Sequence, residues 1–418
     1  DGERVYIGTS DGRIMALRLD DGTPAWPAVQ TAGAVFSAPA VSDGVLYCGA
    51  TDGTFYAVNA ATGEVLWTYR AEGAVLTPPV VVDTTVYFAG NQIMYALSTR
   101  SHHRLWQYRA SGMIECKPAV AGDLVLFGSW DRQVRALDRH QGSLRWSWNR
   151  TSSFYYAPAA CWPVATAERV FVSDPQRYVS AISLADGSTI WSSKTPEAWE
   201  SIGLSEDRSS TLYVRALDGC LYAVLAGAPN QLQLWKSNVA YGWDTTPSMP
   251  MEKQGTVFTG SKQGFVVAVA TWGGMLWRYW LTHAYVATVT PLDGERVLAA
   301  ALDGTVALIH GTGSGVPEPR NSLQAPERDQ LLNPFPNPFN RSVVVAYRLS
   351  RPQTVRCSVV NVRGAVVFSE VEHHRTPGDY HMTWRGTVDS GQDLPSGVYF
   401  VVVQGQQFRE GRKVALVK

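Results

Sequence analysis

Short apolar runs separated by turn residues fill the first three quarters of the chain. "RVYIGTS" and "GRIMALRL" flank Asp11-Gly12, a dipeptide that tolerates positive φ, and so predict a β-hairpin. The same pair recurs as "VLYCGAT" with "GTFYAVNA" around Asp52-Gly53, "TLYVRAL" with "GCLYAVLA" around Asp218-Gly219, and "RVLAAAL" with "GTVALIHG" around Asp303-Gly304. A turn such as Ala61-Thr62-Gly63 or Ala185-Asp186-Gly187 follows, then a strand ending in tryptophan. Ahead of the hairpins lie short segments such as "FSAPAVSDG", "LTPPVVVDT" and "ECKPAVAGD". Each repeat therefore reads as four antiparallel strands.

The tryptophans Trp26, Trp67, Trp106, Trp146, Trp191, Trp235 and Trp277 are spaced 41, 39, 40, 45, 44 and 42 residues apart, the period of one copied supersecondary unit. Such a unit is apolar on both faces and must stack on copies of itself, and radial closure into a propeller is the usual solution. The tryptophans are expected to pack blade against blade. The alanines Ala16, Ala57, Ala96, Ala136, Ala181, Ala223, Ala268 and Ala307 hold a fixed place in the third strand, where a small residue lets sheets approach. Eight hairpins but seven inner and seven tryptophan strands suggest eight blades, the first lacking its inner strand and the last its outer one. A seven-bladed ring is the alternative.

The repeat covers residues 1–311. Residues 312–330, "TGSGVPEPRNSLQAPERDQ", are rich in Pro, Gly, Ser and charge, as a linker is. From 331 to 418, runs such as "SVVVAYRLS", "TVRCSVVNVRG" and "SGVYFVVVQ" predict an immunoglobulin-like β-sandwich. The whole chain is expected to be all-β.

Composition agrees: 37 Gly, 23 Pro, 15 Trp and 18 Tyr favour strands and turns. With 36 basic and 36 acidic residues the chain has no electrostatic footprint for nucleic acid. Cys48, Cys116, Cys161, Cys220 and Cys357 show neither CxxC spacing nor adjacency, so no metal site is expected and buried small hydrophobes are the reading. His102-His103 occupies the turn where sister repeats carry Ala-Thr-Gly, and His373-His374 is placed in a sandwich loop; both read as solvated surface. No apolar run reaches the roughly 18 residues of a membrane span. Asp1 falls within a repeat, so residues upstream of it are expected.

The phrase "YAVNAATGEVLW" (Tyr56 to Trp67), echoed by "ALDRHQGSLRW" and "SAISLADGSTIW", resembles the pyrroloquinoline quinone (PQQ)-type propeller repeat with its tryptophan-docking motif. That family includes quinoprotein dehydrogenases and non-catalytic propellers, so the resemblance implies architecture more than activity. Asn337-Pro338-Phe339-Asn340, then Val360 to Gly364, Leu394 to Tyr399 and a basic end at Lys413 and Lys418 resemble the C-terminal sorting domain of type IX secretion cargo. This resemblance implies the type IX secretion machinery as partner, and a protein secreted or held on the outer surface of a Gram-negative-type bacterium. Phe339 would belong to the opening motif, and Gly397, Tyr399 and the last strand to the export-associated end.

Neither a nucleophile motif, a HExxH helix nor a phosphate loop is present. Ligand specificity is expected where repeats diverge. Aligned on Pro39, Pro79, Pro118, Pro158 and Pro247, with Gly203 and Val289 at the equivalent places, the column three residues earlier reads Phe36, Leu76, Glu115, Tyr155, Glu200, Asp244 and Val286, with Trp199, Trp243, Tyr241 and Tyr285 beside it. If the inner strands line the axis, these residues border one mouth of the channel and suit a cation, an amine or a sugar; solvated acids at a wet mouth are the alternative. The function expected is a non-catalytic binding or scaffolding propeller for a protein, glycan or small molecule, with no cofactor. The alternatives are a PQQ-dependent dehydrogenase using Ca²⁺, and the accessory region of a larger enzyme whose catalytic domain precedes Asp1.

Overall fold

The computed structural model describes residues 2–150, 162–174, 176–240, 248–311, 328–331, 334, 343–374, 378–388 and 391–417, with only the backbone at 199, 200, 344, 346, 348, 374, 378, 379, 381 and 383. The chain divides into two compact units, Asp1–Val316 and Pro317–Lys418.

Six four-stranded antiparallel sheets make up most of the first unit, each running inner, second, third and outer strand in chain order. Ala40–Ser42, Val45–Gly49, Thr54–Asn59 and Val65–Arg70 are representative. A three-stranded sheet stands at each end of the series: Arg4–Gly8, Arg13–Arg18 and Val29–Gln30 first, Val286–Pro291, Arg296–Ala301 and Val306–His310 last. Successive inner strands touch one another from Ala40–Ser42 to Val286–Pro291, so they line a common axis.

Alanine and tryptophan face each other inside a sheet. Ala57 pairs with Trp67, Ala136 with Trp146 and Ala268 with Trp277, and a register shift follows each alanine. The small residue thus leaves room beside a large ring in its own sheet as well as for the next sheet. Each indole then reaches the next sheet's turn between third and outer strands. A Cβ built on Gly142 would come within 2.6 Å of Trp106, on Gly187 within 2.8 Å of Trp146, and on Gly63 within 2.7 Å of Trp26. The indole N–H groups donate to turn carbonyls: Trp26 to Ala60 at 3.2 Å, Trp106 to Arg139 at 2.8 Å, Trp146 to Leu184 at 2.9 Å and Trp235 to Thr271 at 2.7 Å. Burying such a ring contributes about 4–6 kcal/mol before ordering costs.

Three sockets differ. His102, at φ 62°, replaces the turn glycine and stacks on Trp67 at 5.0 Å and 21°. His102 is exposed, as the solvated-turn reading has it, and its ring also packs against the neighbouring sheet. In the sheet facing Trp191 the turn is lengthened around Gly227, nothing approaches that glycine among the described residues, and the Trp191 indole nitrogen has no partner among them. Trp277 lies against Gly311, which follows the final strand.

Cys48, Cys116, Cys220 and Cys357 are free and buried, and Cys161 lies outside the described residues. Burial pushes the Cys48 and Cys357 thiols up to about 12, which leaves them protonated and inert. Cys116 also supports the backbone. Its Sγ accepts from the Gly128 N–H at 3.2 Å, as Thr77 Oγ1 accepts from Ala89 and Ser248 Oγ from Gly260, both at 2.8 Å.

In the second unit Gln330–Leu331, Val343–Leu349 and Gly378–Trp384 form one sheet. Val366–His374, Gln353–Asn361, Gly397–Gln404 and Arg409–Leu416 form the other. Inward residues Val343, Val345, Tyr347, Val355, Val359, Trp384, Val401 and Val414 build the core. Tyr399 is buried there, meets Trp384 edge-on at 5.3 Å, and donates its hydroxyl to the Pro395 carbonyl at 2.9 Å. Gly397 opens a strand, and the nearest atom to a built Cβ is Tyr399 at 3.8 Å, so the fold itself does not demand glycine there. His373 and His374 end a strand, not a loop, and His373 Nδ1 meets Thr354 Oγ1 at 2.8 Å. Lys413 is exposed opposite Phe400; Phe339 and Lys418 lie outside the described residues.

Candidate functional site at the channel mouth

One end of the first unit carries both the segments entering the inner strands and the turns joining second to third strands. Backbone bonds tie the two together: Thr51 N–H to Ala34, Asn91 to Ala74 and Trp130 to Met113, each at 2.9 Å, and Leu302 to Tyr285 at 3.0 Å. Divergent residues from two loop sets therefore share this end.

Phe36 is 64% exposed at the entrance to its inner strand. Glu115, half-buried, accepts a hydrogen bond at Oε2 from the Trp130 indole N–H at 2.8 Å, and Trp130 is 52% exposed. Tyr285 is half-buried, with the Lys262 ammonium 5.5 Å from its ring centroid. Tyr155, Tyr241, Trp243 and Asp244 lie outside the described residues, and Trp199 and Glu200 are placed only as backbone of the strand Ala198–Leu204. One column member is corrected. Val286 is fully buried, and its N–H donates to Ser261 as Val35 donates to Thr9 and Val75 to Ala50, so Ala287 is the structural counterpart of Phe36. The last repeat lacks the inner-strand proline, and an alignment on Val289 slips its register by one residue.

Trp130 sits on a braced turn. Arg135 donates to Ser129 Oγ at 2.8 Å and to Asp131 Oδ2 at 2.6 Å, and the Ser111 N–H reaches Asp131 Oδ2 at 3.0 Å. Burial pushes the Asp131 carboxyl up, but bonds from Arg135 and Ser129 outweigh it and hold the group below the usual carboxylate range. Two residues beyond Glu115, ahead of the inner strand Ala119–Ala121, Lys117 is exposed, its ammonium 5.8 Å from the Trp162 ring centroid. Desolvation, then the charge of Arg208, lowers its pKa below the ordinary lysine value.

Trp130, Lys117 and Lys262 escape the sequence column because it compares only the inner-strand entrances. The turn column Ser10, Thr51, Asn91, Trp130, Leu217, Lys262 and Leu302 carries the signal: it holds Trp130, Lys262 and the 69% exposed Leu302 where Ser10, Thr51 and Asn91 are small and polar, and Leu217 is buried. Together these groups offer aromatic faces, one carboxylate and two ammoniums, which is recognition chemistry. Among the described residues no group of three or more His, Cys, Asp or Glu is placed to hold a metal ion. Glu115 Oε2 is engaged by Trp130.

The sequence of the first unit matches the family described as "Outer membrane protein assembly factor BamB" over residues 10–153 and 112–228, more than half of the chain. The chain belongs to this family. Residues 333–417 match the secretion system C-terminal sorting domain. Curated relatives include the outer membrane protein assembly factor BamB of Moranella endobia, 30% identical over 99 residues (22% of this chain, 25% of that protein), and that of Yersinia pestis, 36% over 76 residues (18% and 19%). A polyvinylalcohol dehydrogenase of a Pseudomonas species is 37% identical over 93 residues, 18% of this chain and 15% of that one. The chain thus spans a quarter or less of these relatives. Among solved structures, BamB from Moraxella catarrhalis superposes with TM-score 0.59 and 19% identity, covering 74% of this chain and 92% of that one. The computationally designed Ika8 protein gives 0.62 and 16%, covering 74% and 93%. These likenesses establish a β-propeller of PQQ-like repeats followed by a type IX sorting domain. Such a tail marks a secreted or cell-surface protein that engages the type IX secretion machinery. No helix among the described residues is long and apolar enough to cross a membrane.

Proposed function

We propose that this protein is a non-catalytic binding propeller, delivered to the cell exterior by its sorting domain, which holds its ligand at the channel mouth. The observation that carries the reading is the exposed Trp130 ring, fixed by its N–H bond to Glu115 and by the Arg135–Asp131 brace beneath. Holding a large aromatic face in water costs burial energy that a ligand recovers. With Phe36 exposed on the same end, the chemistry suits a glycan, whose apolar ring faces stack on aromatics while hydroxyls meet Glu115 and Lys117. A glycan array probed with the intact chain tests this: retention should fall about tenfold or more for Trp130→Ala and for Phe36→Ala. Retention unchanged in both variants, or no glycan retained, would overturn the ligand assignment. Export is tested separately by deleting residues from Leu331 onward; continued secretion of that truncation would sink the sorting role.

The partial likeness to a polyvinylalcohol dehydrogenase supports a second reading, a quinoprotein oxidoreductase. Calorimetric titration with PQQ and Ca²⁺ separates the two: stoichiometric heat favours the oxidoreductase, and no heat favours the binding module.

A further inference from the structure

We infer that the ligand held at the mouth is an acidic glycan, whose carboxylate or sulfate enters the channel and is bound by Lys117 and Arg208 together. The inference rests on the binding reading above and adds the sign of the ligand's charge. Glu115 and Lys117 alternate with Ile114, Cys116 and Pro118, which are all buried, so both project from the open side of the segment that enters the inner strand Ala119–Ala121. Two residues of extended chain put about 7 Å between them. A sugar stacked on Trp130 beside Glu115 therefore has its next substituents within reach of the Lys117 ammonium. Trp162, its ring centroid 5.8 Å from that ammonium, adds an aromatic face for the sugar that carries the charge.

Both cations break the repeat's own pattern. Where Lys117 stands, one residue before the alignment anchor, sister repeats carry Ala38, Pro78, Ala157, Ile202 and Thr246. Arg208, at φ 55°, is the left-handed residue of a turn between inner and second strands; in sister turns that residue is Asp43, Asp83, Gly122 or Gln254. Two positive charges thus stand where the other sheets are neutral or acidic.

No carboxylate among the described residues pairs with either cation, and the charge of Arg208 is felt at Lys117. The acids closest in sequence are committed elsewhere. Glu115 Oε2 accepts from Trp130, and Glu206 accepts from Lys253 and from the Gln254 N–H at 2.7 Å. Asp207 is turned into its own loop, accepting from Ser205 and from the Ser209 and Ser210 N–H groups at 2.9 and 3.1 Å. A partly desolvated ammonium beside a second cation carries a cost that an entering anion offsets. The same pair repels a cation or an amine, the other ligands that the acids of the mouth suggest.

The test is a glycan array carrying acidic glycans beside carboxyl-reduced or desulfated neutral forms of the same backbones, probed with the intact chain at about 0.15 M salt. Acidic members should be retained at least about tenfold better than their neutral forms, and the uronate-only and sulfate-only members show which anion is read. Lys117→Met and Arg208→Gln should each remove that preference and leave the retention of neutral glycans in place. Gln254 holds the same left-handed backbone at φ 47°, so the Arg208→Gln turn keeps its shape, and neither change should lower the melting temperature by more than about a degree. Equal retention of acidic and neutral forms, or a preference unchanged in both variants, would overturn the inference; the binding reading then survives if retention still depends on Trp130. Retention of no glycan at all overturns both.

Discussion

Trp146 and Trp191 allow the tryptophan socket to be weighed against an internal control. Both are 8% exposed and both pair across from an alanine in their own sheet. Trp146 rests on Gly187 and donates to the Leu184 carbonyl at 2.9 Å, whereas the Trp191 indole nitrogen is buried with no partner among the described residues. Replacing either by phenylalanine keeps a ring and removes the pyrrole edge, a packing loss of about 1–2 kcal/mol. At Trp146 the change also orphans a carbonyl, adding about 1–3 kcal/mol; at Trp191 it removes a buried unsatisfied donor and recovers part of the packing loss. Trp146→Phe should therefore cost at least about 1 kcal/mol more than Trp191→Phe, while alanine at either site costs about 3–5 kcal/mol. Urea unfolding of the full chain, followed through the transition of the propeller, measures both changes at once. A Trp191→Phe loss equal to or larger than that of Trp146→Phe would refute the claim that the turn carbonyl is part of the socket.

Gly142→Ala must strain φ 70° and drive a methyl to 2.6 Å from Trp106, while Gly44→Ala strains φ 74° in open space. The first should cost about 2–4 kcal/mol and the second about 1, compared by denaturant midpoints. A hydrogen bond from Arg145, with those from backbone N–H groups, lowers the Asp138 carboxyl to about 2. Its folded value lies below its unfolded one, so its contribution is full above about pH 4 and lost as pH falls toward 2. Arg145→Ala should move the acid unfolding midpoint upward in a fluorescence titration, and an unmoved midpoint would count against the pair. Lys117 is the opposite case, a lysine whose folded pKa is depressed, so its protonation opposes folding at neutral pH. Lys117→Met should raise the melting temperature at pH 7 and flatten the rise of stability as pH approaches the ordinary lysine value.

The four-stranded repeat and the packing role of the tryptophans are legible in the sequence because they follow from periods that recur: two along a strand, about forty along the chain. The mouth is legible only in part. Comparing inner-strand entrances finds Phe36 and Glu115, but Trp130 belongs to the turn after the second strand, and only hydrogen bonds between the two loop sets place both at one end. Val286 is misplaced by sequence because the last repeat carries no proline at the anchor, and a one-residue slip exchanges a buried valine for an alanine at the mouth. The polarity of His102 suggests the exposed turn residue it is, whereas its stacking on Trp67 follows from a left-handed backbone that the residue type does not announce.

A repeat protein records its specialised positions as exceptions to its own rule. Where a glycine sits under an indole the chain needs only stability, and the four such sockets have nearly the same geometry. The exceptions differ in kind. His102 fills its socket with another ring, and the lengthened turn facing Trp191 leaves a donor without a described partner; both are local substitutions within a closed interface. Gly22 and Leu308 keep the standard backbone while lacking, among the described residues, what their sister positions have above them.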